Sequence, residues 1–213
     1  MNRHKIGLLG GTFNPVHRGH IELGLRIREA FGLDRILYIL SARPPHKESR
    51  EIPDATVRFR MLEKALKPFP ELVPCDLEIE RQEPSWTVDT ITELKARFPG
   101  DRFYFITGSE GFLKIRTWKE YRKVLKSVSF VIVVRRADHL RKVEAILREE
   151  AVPFTVGKKP ISAFPAAYIY QYPSPHLTLS STIIRRRVRL HQDVSGMVDQ
   201  KNIAEVYELY ENQ

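Results

Sequence analysis

Two histidines three residues apart, His17 and His20, close the string Gly10-Gly11-Thr12-Phe13-Asn14-Pro15-Val16-His17-Arg18-Gly19-His20. The glycines let backbone N–H groups approach a ligand closely. A helix expected to begin near His17 adds the positive potential of its N-terminus. At that spacing both imidazoles share one face of the first turn. Two imidazoles and a helix end make a cradle for phosphate. The string is neither a dinucleotide-type GxGxxG nor a Walker P-loop, because no Gly-Lys-Ser/Thr occurs. Zinc would want a third ligand, and none lies nearby in the sequence. Taken singly, either histidine also reads as a cap or a packed residue; the whole string favours the anion site.

Three further strings carry groups of the same kind. Leu179-Ser180-Ser181-Thr182-Ile183-Ile184-Arg185 runs into Arg186, Arg187 and Arg189. Donors at a helix start followed by a guanidinium suit an anion, and equally a plain capping run before a basic helix. Pro44-Pro45-His46-Lys47 sets a lysine in a proline-stiffened loop, facing either a phosphate or solvent. Ser85-Trp86-Thr87-Val88-Asp89-Thr90 opens a predicted helix, at whose N-terminus Asp89 also reads as a simple first-turn charge.

The elements that must position these groups follow from hydrophobic period. Lys5–Leu9 reads as a short strand running into a Gly10-Gly11 turn, and Leu23, Ile27, Ala30 and Phe31 repeat at helical spacing until Gly32. Arg35–Leu40 is a buried strand; Asp54 caps a helix carrying Val57, Met61 and Ala65. Cys75–Glu80 reads as a strand, and Ser85 or Thr87 as the cap of a helix carrying Val88, Ile91, Leu94 and Phe98. Strands at Phe103–Thr107 and Ser129–Val134 flank helical sequence reaching about Lys126, in one or two pieces. A helix at Asp138–Glu149, short strands at Phe154–Val156 and Tyr168–Tyr172, a helix at Ser180–Leu190 and a last one at Asn202–Tyr210 complete the chain. Strands alternating with helices predict a Rossmann-like, doubly wound α/β fold: a mostly parallel sheet, helices on both faces and a C-terminal helical segment. Ligands of such sheets bind outside the carboxyl ends of the strands, where these strings fall.

Composition narrows the class. The 213 residues fit a single domain, and 42% hydrophobic content is enough to bury a core. No apolar run approaches the roughly 20 residues of a membrane span, and the one cysteine, Cys75, excludes an internal disulfide framework. A cytoplasmic protein is expected. The 35 Lys and Arg exceed the 26 Asp and Glu by nine, which implies an anionic partner. That partner is nucleic acid, a membrane surface or a phosphorylated small molecule; acids interleave most of the basic residues, which reads as a largely solvated surface.

The four strings, in this order over residues 10–185, resemble the signatures of the nicotinate-mononucleotide adenylyltransferases, members of the nucleotidyltransferase superfamily whose hallmark is (H/T)xGH. The family's usual forms are GGTFDPVHxGH, PPHK, S(Y/W)TxDT and ISSTxIR. The resemblance implies transfer of an adenylyl group from ATP to nicotinate mononucleotide, giving deamido-NAD and pyrophosphate, with Mg²⁺ carried by the ATP and no protein-built metal site. It implies that Gly10, Gly11, Thr12, Phe13, His17, His20, Ser180, Ser181, Thr182 and Arg185 bind ATP, with His17, His20 and Arg185 catalytic. It also implies that Asn14, His46, Lys47, Ser85, Trp86, Thr87, Gly108, Glu110, Trp118 and Arg135 bind the mononucleotide. The N–H groups near Thr87 would take the nicotinate carboxylate. Trp118 would stack on the pyridine ring, the other reading being a core tryptophan. Same-fold alternatives are a nicotinamide mononucleotide or phosphopantetheine acceptor; a non-catalytic nucleotide sensor is a third. A homo-oligomer is compatible with the sequence.

The chain departs from the family pattern in five places. Asn14 replaces the usual Asp, Gly108-Ser109-Glu110 stands for GAD, and Arg136 and Asp199 each replace a proline. The segment from about 151 to 176 is longer than the family's connection.

Overall fold

A computed structural model describes residues 3–44, 52–81, 83–157, 164–172 and 179–211. The strands are β1 Lys5–Gly11, β2 Arg35–Leu40, β3 Leu72–Cys75, β4 Arg102–Gly108, β5 Ser129–Val134, β6 Phe154–Val156 and β7 Ala167–Gln171. The helices are α1 Arg18–Phe31, α2 Ala55–Leu66, α3 Thr87–Arg97, α4 Ser109–Phe112, α5 Tyr121–Ser127, α6 Ala137–Glu149, α7 Ser181–Arg189 and α8 Ile203–Tyr210. The strands form one seven-stranded sheet in the order β3-β2-β1-β4-β5-β7-β6. β1 with β4, β4 with β5, β5 with β7 and β6 with β7 all pair in parallel. This is the expected doubly wound α/β architecture. The order reverses at β1 and β4, the kind of position where open parallel sheets take ligands.

By its contacts the chain divides into two compact units. One comprises Met1–Gly10, Arg28–Ile36 and Trp86–Pro173; the other comprises Gly11–Ile27, Leu37–Ser85 and Ser174–Gln213. In the first, every residue of β5 is buried, as a β-branched run flanked by strands on both sides requires. Phe130 packs against Phe105 and Phe112 there. In the second, Met61, Leu62 and Ala65 form the inner face of α2, and Ile184 and Val188 that of α7. No helix among the described residues is long and apolar enough to cross a membrane.

Several boundaries differ from the sequence expectation, each for a local reason. Gly10 and Gly11 belong to β1, and the turn comes later, where Phe13 takes a positive φ of 46° before a cis Asn14–Pro15 bond. The alternating stretch Cys75–Glu80 is not a strand beyond its first residue. β3 lies upstream, and the Ile79 N–H turns back to the Asp76 carbonyl. Neither Ser85 nor Thr87 caps α3. Trp86 is its N-cap without a side-chain bond, and the Ser85 hydroxyl accepts from the Arg43 N–H instead. The helical sequence after Gly108 forms three pieces, with a 3-10 turn at Ile115–Thr117 and a break at Glu120, whose φ is 48°. Gly32, at φ 58°, ends α1 as expected, and Asp54 caps α2 through the Thr56 N–H. Within the long 151–176 connection the two short strands form as β6 and β7; residues 158–163 and 173–176 of it lie outside the described residues.

Candidate active site

The second unit brings the histidine string and the Ser180–Arg185 string together. His17 is buried just ahead of α1 and His20 lies in its first turn. Their rings stack at 3.6 Å between centroids with 22° between planes. The His17 backbone N–H donates to His20 Nδ1 at 3.3 Å. An accepting Nδ1 carries no proton, so the remaining proton of His20 sits on Nε2, which is thereby a donor. Phe13 meets the His20 ring edge-on at 5.1 Å, and the buried Tyr38 hydroxyl donates to the His20 carbonyl at 2.8 Å. Burial holds the Tyr38 phenol well above its ordinary range. His20 is therefore fixed by its ring, its ring nitrogen and its backbone.

The α7 string closes on the same loop. Arg185 Nη1 donates to the Asn14 carbonyl at 2.7 Å, and Ser181 Oγ donates to the Pro15 carbonyl at 2.9 Å. Ser180 is the N-cap of α7, its hydroxyl accepting from the Ile183 N–H. The two serine hydroxyls thus serve the chain itself. By helix geometry the Ser181 and Thr182 N–H groups have no acceptor within α7, which suits them to an anion. Thr12 contributes its carbonyl to Arg58, and the Gly11 carbonyl accepts from the Ser41 N–H.

Three further residues of this site have no counterpart among the sequence candidates. Arg58 is 1% exposed and gives its guanidinium to four backbone carbonyls. The buried Tyr210 hydroxyl donates to Asn14 Oδ1, and Tyr38 holds His20. For Arg58 a signal was present: it stands three before Met61 and seven before Ala65, a charge on the apolar stripe of α2. Burial draws its guanidinium below the ordinary arginine value.

Of the remaining candidates Ser85 lies in the second unit, and the others are in the first unit or outside the described residues. His46 and Lys47 fall in the latter group. In the first unit Gly10 lies in β1, Thr87 begins α3, and Trp86 lies 6.0 Å below the Lys119 ammonium, which pairs with Asp89 at 3.0 Å. Trp118 is half-buried and edge-on to Phe105 at 5.6 Å. Gly108 ends β4 and Glu110 is exposed on α4, 4.0 Å from His139 Nδ1. That nitrogen also hydrogen-bonds Ser109 at 2.9 Å, and Arg135 is exposed after β5. Among the described residues no group of three or more His, Cys, Asp or Glu could hold a metal.

The cytidylyltransferase-like family model matches residues 8–187. A Geobacter metallireducens protein named "Probable nicotinate-nucleotide adenylyltransferase" is 35% identical over 91% of either chain. One of the same name from Carboxydothermus hydrogenoformans is 38% identical over 87% of this chain and 86% of its own. The structure of Plasmodium falciparum nicotinic acid mononucleotide adenylyltransferase complexed with NaAD superposes with a TM-score of 0.76 at 20% identity, over 99% of both chains. The chain belongs to the cytidylyltransferase-like family, in its nicotinate-nucleotide adenylyltransferase branch.

Proposed function

We propose that this protein transfers the adenylyl group of ATP to nicotinate mononucleotide, releasing pyrophosphate and deamido-NAD, in the cytoplasm. The single observation that carries the mechanism is the fixed His17–His20 stack with Arg185 anchored on the same loop. The acceptor's phosphate has a second pKa near 6, so at neutral pH it is already an anion and needs no general base. Its oxygen forms a bond to the α-phosphorus of ATP, and the bond from that phosphorus to the bridging oxygen breaks toward pyrophosphate. The protein's task is to align two anions and to neutralise charge on the α-phosphate and the leaving group. His20 Nε2–H, His17, Arg185 and the first N–H groups of α7 supply donors for it. Mg²⁺ arrives as part of the substrate, on the ATP phosphates. On the acceptor side, the N-terminus of α3 and the half-exposed Trp118 suit the carboxylate and ring of the nicotinate.

The test is pyrophosphate release with Mg·ATP and, side by side, nicotinate mononucleotide, nicotinamide mononucleotide and phosphopantetheine. Turnover confined to the nicotinate is expected. Equal or better use of another acceptor would retain the chemistry and overturn the substrate. ATP binding without pyrophosphate release from any of the three would make the protein a nucleotide sensor.

A further inference from the structure

We infer that Arg58 is a positioning residue for adenylyl transfer, locking the turn after β1 to the chain leaving β2 so that the phosphate-facing groups keep one register. The inference rests on the function proposed above. Arg58 reaches three separate segments. Its Nε donates to the Pro53 carbonyl at 2.8 Å, Nη1 to the carbonyls of Thr12 at 2.7 Å and Ser41 at 2.9 Å, and Nη2 to that of Ala42 at 3.1 Å. None of these acceptors is a carboxylate. The nearby Asp54 carboxylate is turned to the Thr56 N–H as the cap of α2. A buried guanidinium bonded only to carbonyls, with the Asp54 carboxylate acting on it through space alone, is costly, and packing alone would be served better by an apolar side chain. What a guanidinium adds is a rigid fork that binds several carbonyls at fixed directions, which an ammonium cannot do.

One of the carbonyls it holds, that of Thr12, flanks the turn at Phe13. Thr12 lies on one side of Phe13 and is fixed by Arg58; Asn14 lies on the other and is fixed by Arg185 and Tyr210. Between them Phe13 keeps its positive φ, a conformation that a non-glycine residue holds only when its surroundings impose it. The Phe13 ring in turn bears on His20. Releasing Thr12 frees Phe13 to relax, and His20 loses one of its supports. Ala42 and Pro53 line a cavity of about 650 Å³ that Arg58 also lines.

The experiment compares Arg58→Lys and Arg58→Gly with the wild type by steady-state kinetics per folded molecule, with guanidinium added at low millimolar concentration, and by amide hydrogen exchange. Expected are a kcat lowered on the order of 100-fold with the KM for ATP little changed, the scale set by a misplacement of about 1 Å. Guanidinium, and not methylammonium, should restore part of the loss in Arg58→Gly. In Arg58→Lys, faster exchange should be confined to residues 11–17, 41–44 and 52–56. A folded variant within about threefold of wild-type kcat, a loss that guanidinium leaves unmended, exchange that rises uniformly, or unfolding of both variants would each overturn the inference. A wild type inactive with nicotinate mononucleotide would sink the function instead, and the exchange pattern would still decide for or against Arg58.

Discussion

At His20 one ring performs three tasks, and substitutions can separate them. The ring stacks on His17, its Nδ1 accepts the His17 N–H, and its Nε2–H faces away as a donor. His20→Ala removes all three, and kcat should fall by more than about 100-fold, as losing one preorganised donor does elsewhere. His20→Asn restores an acceptor near the position of Nδ1 without a donor at Nε2. It should unfold closer to the wild-type temperature than the alanine variant, yet remain as slow. Recovery of turnover in the asparagine variant would remove Nε2–H from the mechanism. Tyr210 offers a second test, because burial keeps its phenol above the ordinary range. Above about pH 10 the unfolded chain releases this proton while the folded chain retains it, so stability falls with rising pH by about 1.4 kcal/mol per unit per such group. Tyr210→Phe should make the alkaline limb of urea-unfolding stability shallower by that slope. At neutral pH it should cost about 1 kcal/mol, for the lost bond to Asn14. The histidines and Arg185 were legible in the sequence because their motif spacing is local. Tyr210 was not: it lies 196 residues from Asn14, and only the fold brings them together.

Among the elements, α1 approaches β2 so closely at one point that a glycine is needed. A Cβ built on Gly24 would collide with the Tyr38 hydroxyl, the group that holds the His20 carbonyl. Helix propensity alone predicts that Gly24→Ala stabilises the protein by up to about 1 kcal/mol. Overpacking of about 1–3 kcal/mol opposes it and should win. The Tyr38→Phe background removes the colliding oxygen, so a double-mutant cycle in urea should show Gly24→Ala much less harmful there. Equal penalties in both backgrounds would mean that the collision is relieved some other way. The same elements show what period can and cannot reveal. The buried runs of β2, β4 and β5 and the stripes of α1, α2, α3 and α6 were readable because each spans several repeats. At Asp76–Glu80 the alternation of acid and apolar residues imitates a strand, yet the chain there turns. Leu72–Cys75, with a proline, serves instead as the edge strand, where one side needs no ladder bond. The three-piece helical run after β4 breaks at Glu120 by a left-handed residue that nothing in its local sequence announces.

For the molecule as a whole, the formal charge of +9 should act on two anionic substrates beyond the range of any single contact. Arg186 and Arg189 are exposed on α7, the helix whose first turn meets the loop ahead of α1, and neither is assigned to the proposed chemistry. Replacing both by glutamate changes each site by two charges, which takes the formal total from +9 to +5. At about 0.03 M salt the screening length exceeds 10 Å, so this change should lower kcat/KM for ATP several-fold while kcat stays near its wild-type value. At about 1 M salt screening contracts to about 3 Å and the two proteins should converge. Wild-type kcat/KM should itself decline over the same range. Two outcomes are thereby separated. A deficit that salt erases belongs to the long-range field. A deficit that persists at high salt would place these arginines in direct contact with substrate, because only charges close to the phosphates escape screening.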